Sequence, residues 1–211
     1  MVQRHPVGSG LVASLGHPGG TITGLSSALT EVYSKRVELL KELLPRLARL
    51  AAIFNMGNRS AVPQWQVVEA AARALGIEPP LLDVRRPEDL PRLFETAAQQ
   101  RAEALIVGLD GVTQGKLRLI AELAARQHLP SMYVEKECVK FGGLITYSAS
   151  DLHMYHRAAT FVDKIFKGAK PADLPVEQPM RFDFVVNLKT ARALGITFPP
   201  EILLQITEAI E

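Results

Sequence analysis

From residue 47 onward the sequence repeats one pattern, a short β-branched or apolar run followed by a longer stretch with helical spacing. Strand-like runs fall at 50–54, 80–84, 104–107, 130–133, 144–147 and 182–186. Parallel neighbours in a sheet need a crossover between them, and helices of this length supply it. The rhythm therefore predicts an α/β fold, a parallel sheet with helices on both faces. The run Ala104-Leu105-Ile106-Val107 has no polar alternation, as expected of a strand covered on both sides.

Helix limits are legible from caps and breakers. Val32, Val37, Leu40 and Leu44 lie near helical spacing within 30–44, and Pro45 closes that helix. Ser60 is the expected N-cap of a second helix, ended by Gly76. Pro87-Glu88-Asp89 opens a third helix reaching Gln100, and a fourth spans 113–126. A brief helical piece holds Cys138, an amphipathic helix covers 151–167, and a short helix ended by Gly195 follows the last strand. Three elements stand outside the alternation: the segment through Ser26, the helix after Tyr147 and the connector 170–179. These are expected crossings between two lobes, because a hinged binder is built from a chain that leaves and re-enters a domain.

The chain's 211 residues, 47% hydrophobic and 22% charged, suffice for a sizeable core and exclude disorder as the main state. Its 24 basic and 22 acidic residues alternate in sign and leave a net charge of +2, so no basic stripe for nucleic acid is expected. A single cysteine, Cys138, rules out an internal disulfide and a cysteine-rich zinc site, and reads as a semi-buried filler. No apolar run approaches the roughly 20 residues that span a bilayer, and residues 1–6 lack the apolar core of a signal peptide. Nothing in this stretch is expected to export or anchor the chain.

In an open parallel sheet, ligands bind outside the carboxyl ends of the strands. The loops there hold Asn55 with Asn58, Asp83 with Arg85, Asp110 with Thr113, and Ser148 with Ser150 and Asp151. Asn55 and Asn58 offer amide donors and acceptors to a polar solute, or serve their own turn, since asparagine tolerates left-handed backbone. Asp110 holds a ligand amine or a metal, or caps the following helix. Tyr133 and Tyr147 end strands, where a ring stacks on a flat ligand or packs in the core, and Trp65 inside a helix reads as packing. Ser148 and Ser150 hold a ligand carboxylate or cap the helix from Asp151.

The five histidines form no HExxH, and His153 with His156 has no nearby acidic partner motif, so no metal is expected. There is no GxSxG elbow, no phosphate loop and no GxGxxG, and the turn Pro18-Gly19-Gly20 lacks those spacings. No catalytic constellation and no cofactor are expected. A metal-dependent hydrolase using Asp83 and Asp110 at neighbouring strand ends is a weaker alternative, and a sensory or regulatory small-molecule-binding domain is another.

The stretch Gly8-Ser9-Gly10-Leu11-Val12-Ala13-Ser14-Leu15, followed by Pro18-Gly19-Gly20-Thr21-Ile22-Thr23-Gly24-Leu25-Ser26, resembles a signature of bacterial ABC transporter substrate-binding proteins related to tryptophan and tyrosine importers. The resemblance continues through Lys35-Arg36-Val37-Glu38-Leu39-Leu40-Lys41-Glu42, the Asn55 loop, Gly143-Leu144-Ile145-Thr146-Tyr147, the connector 165–179 and Val186-Asn187-Leu188-Lys189-Thr190-Ala191-Arg192-Ala193-Leu194-Gly195. It covers essentially the whole chain.

The resemblance implies a class I periplasmic-binding-protein-like fold in which a solute is captured between two lobes and passed to an ABC permease. It implies residues 1–27 as hinge and partial N-terminal lobe, 28–147 as the C-terminal ligand-binding lobe, 148–179 as a helix and connector returning to the other lobe, and 180–211 packing on the C-terminal lobe. It further implies that the first part of a longer precursor, with its export signal, is absent here, and that exposed lobe surface favours a homodimer. Periplasmic or extracellular placement is the corresponding expectation. In the family a Thr-Asp-Asn loop follows the strand matched by 104–107; here it reads Leu109-Asp110-Gly111, so only the aspartate carries over, and Thr21 stands where Asn is usual. Asp110 is the leading ligand-binding candidate, with Asn55, Tyr133, Glu135 and Ser148 as further cleft-lining candidates.

Overall fold

The computed structural model describes residues 2, 3, 6–8 and 10–211, so His5 and Ser9 lie outside the described residues. In chain order the elements are β1 (Val2–Gln3), β2 (Leu25–Ser26), α1 (Leu29–Leu43), β3 (Leu50–Phe54), α2 (Ala61–Ala74), β4 (Leu81–Asp83) and α3 (Leu90–Gln99). Then come β5 (Ala104–Val107), α4 (Gly111–Gln114), α5 (Leu117–Arg126), β6 (Ser131–Tyr133), α6 (Glu137–Lys140) and β7 (Ile145–Ala149). The chain ends with α7 (Asp151–Phe166), β8 (Phe182–Asn187), α8 (Leu188–Ala193), α9 (Pro200–Leu203) and β9 (Glu208–Ile210). Two compact units result: a smaller one from Met1–Thr30 with Ala149–Phe182, and a larger one from Glu31–Ser148 with Asp183–Glu211. The chain passes between them within α1, β7 and β8.

In the larger unit the sheet order is β4-β3-β5-β6-β7-β8-β9. Strands β3 to β7 are parallel, with Ile53 opposite Leu82 on one side and Val107 on the other. The chain places β4 on one side of β3 and then returns to place β5 on the other, so the winding reverses between β3 and β5. The expected parallel sheet is found, made mixed at one strand: Asn187 N–H donates to the Leu144 carbonyl and Ser150 N–H to that of Arg181, a pairing in which β8 runs against β7. Having left through the carboxyl end of β7, the chain comes back at that same end and must run down the sheet. β9 pairs parallel to β8; at three residues with two of them exposed, it has no apolar pattern to announce it.

Continuous apolar runs bury these strands: every residue of β3 and of β5 is buried. On one side a core of Leu90, Phe94, Leu105, Ile120, Tyr133 and Cys138 forms under α3 and α5. Full burial of each large aliphatic or aromatic side chain contributes about 1.5–3 kcal/mol. On the other, Tyr33, Phe54 and Trp65 stack in tilted pairs, with ring centroids 5.4 and 6.1 Å apart, which makes Trp65 a packing residue. Gly108 is required beside Phe54, because a Cβ there would sit 2.4 Å from the ring.

Two cap readings are corrected. Ser60 has helical backbone angles and no capping bond; the Asn58 side chain takes the Ser60 N–H at 3.0 Å and the Asn58 carbonyl that of Ala61, so the turn belongs to asparagine. The helix read over 113–126 is two helices, because Asp110 caps a first turn from Gly111 and the chain breaks at Gly115-Lys116 before α5. The left-handed glycines Gly76 (φ 69°) and Gly195 (φ 67°) end α2 and α8 as expected.

The smaller unit contains the parallel pair β1 and β2 with α7. Leu25, Met154 and Phe161 form its apolar centre, joined by Ala149, Ala158 and Leu174. The connector is tied to β2: Ser26 N–H donates to the Glu177 carbonyl at 2.9 Å, Glu177 N–H to that of Gly24 at 3.1 Å, and the Thr23 hydroxyl to that of Leu174 at 2.6 Å. The Arg157 guanidinium clasps the Glu177 carboxylate through Nε at 2.9 Å and Nη2 at 2.6 Å.

Candidate functional site

The winding reverses between β3 and β5, and open α/β sheets bind ligands outside the carboxyl ends of strands at such a reversal. Asn55 follows β3 and Asp110 lies three residues past β5. The structure brings them together: Asn55 Nδ2 donates to Asp110 Oδ2 at 2.5 Å, while Asn55 Oδ1 accepts the Gly57 N–H at 3.0 Å. Asp110 Oδ1 accepts the N–H groups of Val112 and Thr113 at 2.9 and 3.1 Å, capping α4. The Thr113 hydroxyl accepts from Asp110 N–H and donates to the Gly108 carbonyl, which locks the loop. Asp110 is thus a helix cap, and Asn55 serves its own turn while bonding that carboxylate.

Asp83, at the end of β4, is committed differently. Its Oδ1 accepts the Met56 N–H at 2.9 Å and its Oδ2 the Arg85 Nε–H at 2.7 Å. Asp83 and Asp110 therefore each hold separate hydrogen-bond partners, and the described residues contain no group of three His, Cys, Asp or Glu able to hold a metal.

Glu135, after β6, and Ser148, in β7, are half-buried at this same end of the sheet. Tyr147 is half-buried, its ring edge-on to Phe184, and partial burial pushes its phenol upward. Tyr133 is placed otherwise than expected for a cleft-lining residue. Its ring is 1% exposed within the core and lies against Gly143, and burial raises its phenol well above the ordinary value. A strand alternates its side chains between faces, and the register of β6 turns Tyr133 inward. Cys138 is buried, and desolvation lifts its thiol to about 12, so it is an inert filler. Ser150 begins α7 without a side-chain cap.

One residue at this end was not singled out from sequence. Arg36 on α1 is fully buried, with its Nε donating to the Tyr147 carbonyl at 2.7 Å. A signal for it existed: Tyr33, Arg36, Val37 and Leu40 share one helical stripe, and a charged residue on an otherwise buried stripe requires an explanation.

The family model of the ABC transporter substrate binding protein matches residues 2–210. The chain belongs to that family. ABC transporter substrate-binding proteins are binding proteins and not enzymes. The chain is 22% identical over 191 residues to a tyrosine-binding protein of Clostridioides difficile (strain R20291), covering 90% of this chain and 54% of that one. It spans about half the length of that relative. Among solved structures, a conserved domain protein of Vibrio cholerae superposes with a TM-score of 0.85 at 25% identity, over 97% of this chain and 68% of that one. The Streptococcus pneumonia ABC domain in complex with L-Trp gives 0.84 at 25% identity, over 98% and 69%. No helix among the described residues of this substrate-binding protein is long and apolar enough to cross a membrane.

Proposed function

We propose that this chain is the solute-gripping part of an importer's binding protein, which takes up an amino acid or small organic acid at the carboxyl ends of β3 and β5 and hands it to an ABC permease outside the cytoplasm. The observation supporting this reading is the Asn55–Asp110 pair at the winding reversal. A carboxylate offers about four acceptor positions. At Asp110 the two helix-cap bonds fall on Oδ1 and the Asn55 bond on Oδ2, so Oδ2 retains capacity for an N–H or O–H of a solute. The tyrosine and L-Trp of the two named relatives support an amino acid as the solute class. Capture then needs only preferential affinity for the solute-bound state and no bond making.

A thermal-shift screen of the 211-residue chain against the proteinogenic amino acids and aromatic acids tests this. The expected result is a rise in melting temperature with at least one solute, reduced or lost in Asp110→Ala. No shift with any solute, or a shift indifferent to Asp110→Ala, contradicts it.

A further inference from the structure

The turn that carries Asn55 has consecutive backbone N–H groups to satisfy. Gly57 N–H goes to Asn55 Oδ1 and Asn58 N–H to the Asn55 carbonyl, both at 3.0 Å, so these two bonds fix the shape of the turn from within. Met56 N–H differs: it donates at 2.9 Å to Oδ1 of Asp83, on the neighbouring strand β4. Phe54 and Asp83 are partners in the β3–β4 register, which stands the carboxylate beside the start of the turn. Of these three bonds, only that to Asp83 sets where the turn sits relative to the sheet.

Asp83 is itself held. Its Oδ2 accepts Arg85 Nε–H at 2.7 Å, and the guanidinium lies on the turn: a Cβ placed on Gly57 would come 2.6 Å from Arg85 Nη1 and 3.0 Å from Asn55 Oδ1. Glycine at 57 therefore lets the Arg85 head and the Asn55 amide flank one Cα. On the far side, Asn55 Nδ2 donates to Asp110, which caps α4. A line of hydrogen bonds thus runs from Arg85 through Asp83, the Asn55 turn and Asp110 to α4, across the ends of β4, β3 and β5. Arg85 and Asp83 keep 53% and 36% of their side chains exposed, and an ion pair so placed adds little to stability. It does restrict geometry, because a planar guanidinium bonded through Nε limits how the carboxylate turns.

We propose that Asp83 is a positioning residue of the solute site, aiming the Asn55 amide at Asp110, and that Arg85 clamps Asp83 for that task. Neither needs to touch the solute. The proposal rests on the solute-binding reading above. Groups held in place beforehand spare the site an ordering cost at the moment of capture. The other role open to Asp83, a plain tie between β3 and β4, alters stability but leaves the Asn55 amide where it is.

Two readouts on the 211-residue chain separate these roles: the side-chain amide resonances of Asn55 by heteronuclear NMR without ligand, and calorimetric titration with the proteinogenic amino acids and aromatic acids. Asp110→Ala marks where the unbonded Asn55 amide resonates. Asp83→Ala is expected to move the amide most of the way there and to weaken binding about tenfold, with the backbone resonances of β5 and α5 unmoved. Asp83→Asn keeps an acceptor for Met56 N–H, so it is expected to hold the amide near its wild-type position and to lose only about threefold in affinity with the Arg85 clamp. Arg85→Met should match it. Unmoved Asn55 resonances in Asp83→Ala overturn the positioning role, and so does full affinity in a variant whose resonances have moved. A shift spread through β5 and α5 assigns Asp83 to general support of the sheet and overturns it too. If the wild-type chain binds none of the solutes, the solute-binding reading falls and the positioning role with it, while the resonances still report whether Asp83 steers Asn55.

Discussion

The two units bury their apolar surface in different ways. In the larger, a seven-stranded sheet takes up nearly all of it, and the large apolar side chains left exposed are Leu75, Leu203 and Leu204. The smaller, though shorter, exposes Val7, Leu152, Tyr155, Val162, Phe166 and Met180, with Phe166 86% and Met180 88% exposed. Most of these belong to α7, where Leu152, Tyr155, Ala159, Val162 and Phe166 recur at alternating spacings of three and four. Met154, Ala158 and Phe161 form a second stripe, packed on Leu25. A helix apolar on two sides is suited to burial on both. The larger unit is therefore expected to carry most of the stability of this chain, while the smaller is held by a thin centre, backbone ties to the connector and the half-exposed Arg157–Glu177 clasp.

The largest expected effect sharpens this contrast. Phe54→Ala removes a fully buried ring stacked on Tyr33 and Trp65 and costs about 3–5 kcal/mol in chemical denaturation. Phe161→Ala, in the smaller unit, is expected to loosen α7 in hydrogen exchange with little change in the main unfolding transition. Equal losses in both would mean that the units unfold as one and would break the comparison.

Next in size, Asp110→Ala removes a helix cap and the Asn55 bond and is expected to lower stability by about 1–2 kcal/mol in the larger unit, measured by the same denaturation. Phe166→Gln with Leu152→Gln is expected to shift stability by less than about 0.5 kcal/mol, yet to reduce hydrophobic-dye binding and any association seen in light scattering. A large loss of stability there would show that the stripe is packed.

The smallest effect concerns pH. The Glu103 carboxylate accepts the Ala48 and Arg49 N–H groups, and these bonds, that of Ala48 foremost, hold its pKa below the usual range. Because the folded-state value is depressed, the contribution is present above the unfolded-state pKa of about 4.3 and is lost as pH falls through the folded one. Glu103→Gln should flatten the acid side of the stability profile slightly, and an unchanged slope would refute that role.

Much of the fold was legible because burial on both faces writes itself into sequence: the runs at 50–54 and 104–107 are the observed β3 and β5 to the residue. The reversed direction of β8 was not, since strand direction depends on where the chain re-enters the sheet and not on the strand's own residues. The Asp110 and Asn55 positions could be read from their place after strands, but their mutual hydrogen bond is tertiary. Tyr133 was ambiguous because a strand-end tyrosine reads the same facing core or cleft, and register decided it. Arg36 was overlooked because charge suggested an exposed helix face, while its helical stripe placed it inside.

The most direct test of the central claim is hydrogen exchange by mass spectrometry on the 211-residue chain, with and without saturating L-tryptophan or L-tyrosine. The account predicts that bound solute slows exchange in the segments around Asn55, Asp110, Glu135 and Ser148, at the carboxyl ends of the parallel strands. Binding with protection confined to the opposite ends of those strands, or to neither end, would contradict it.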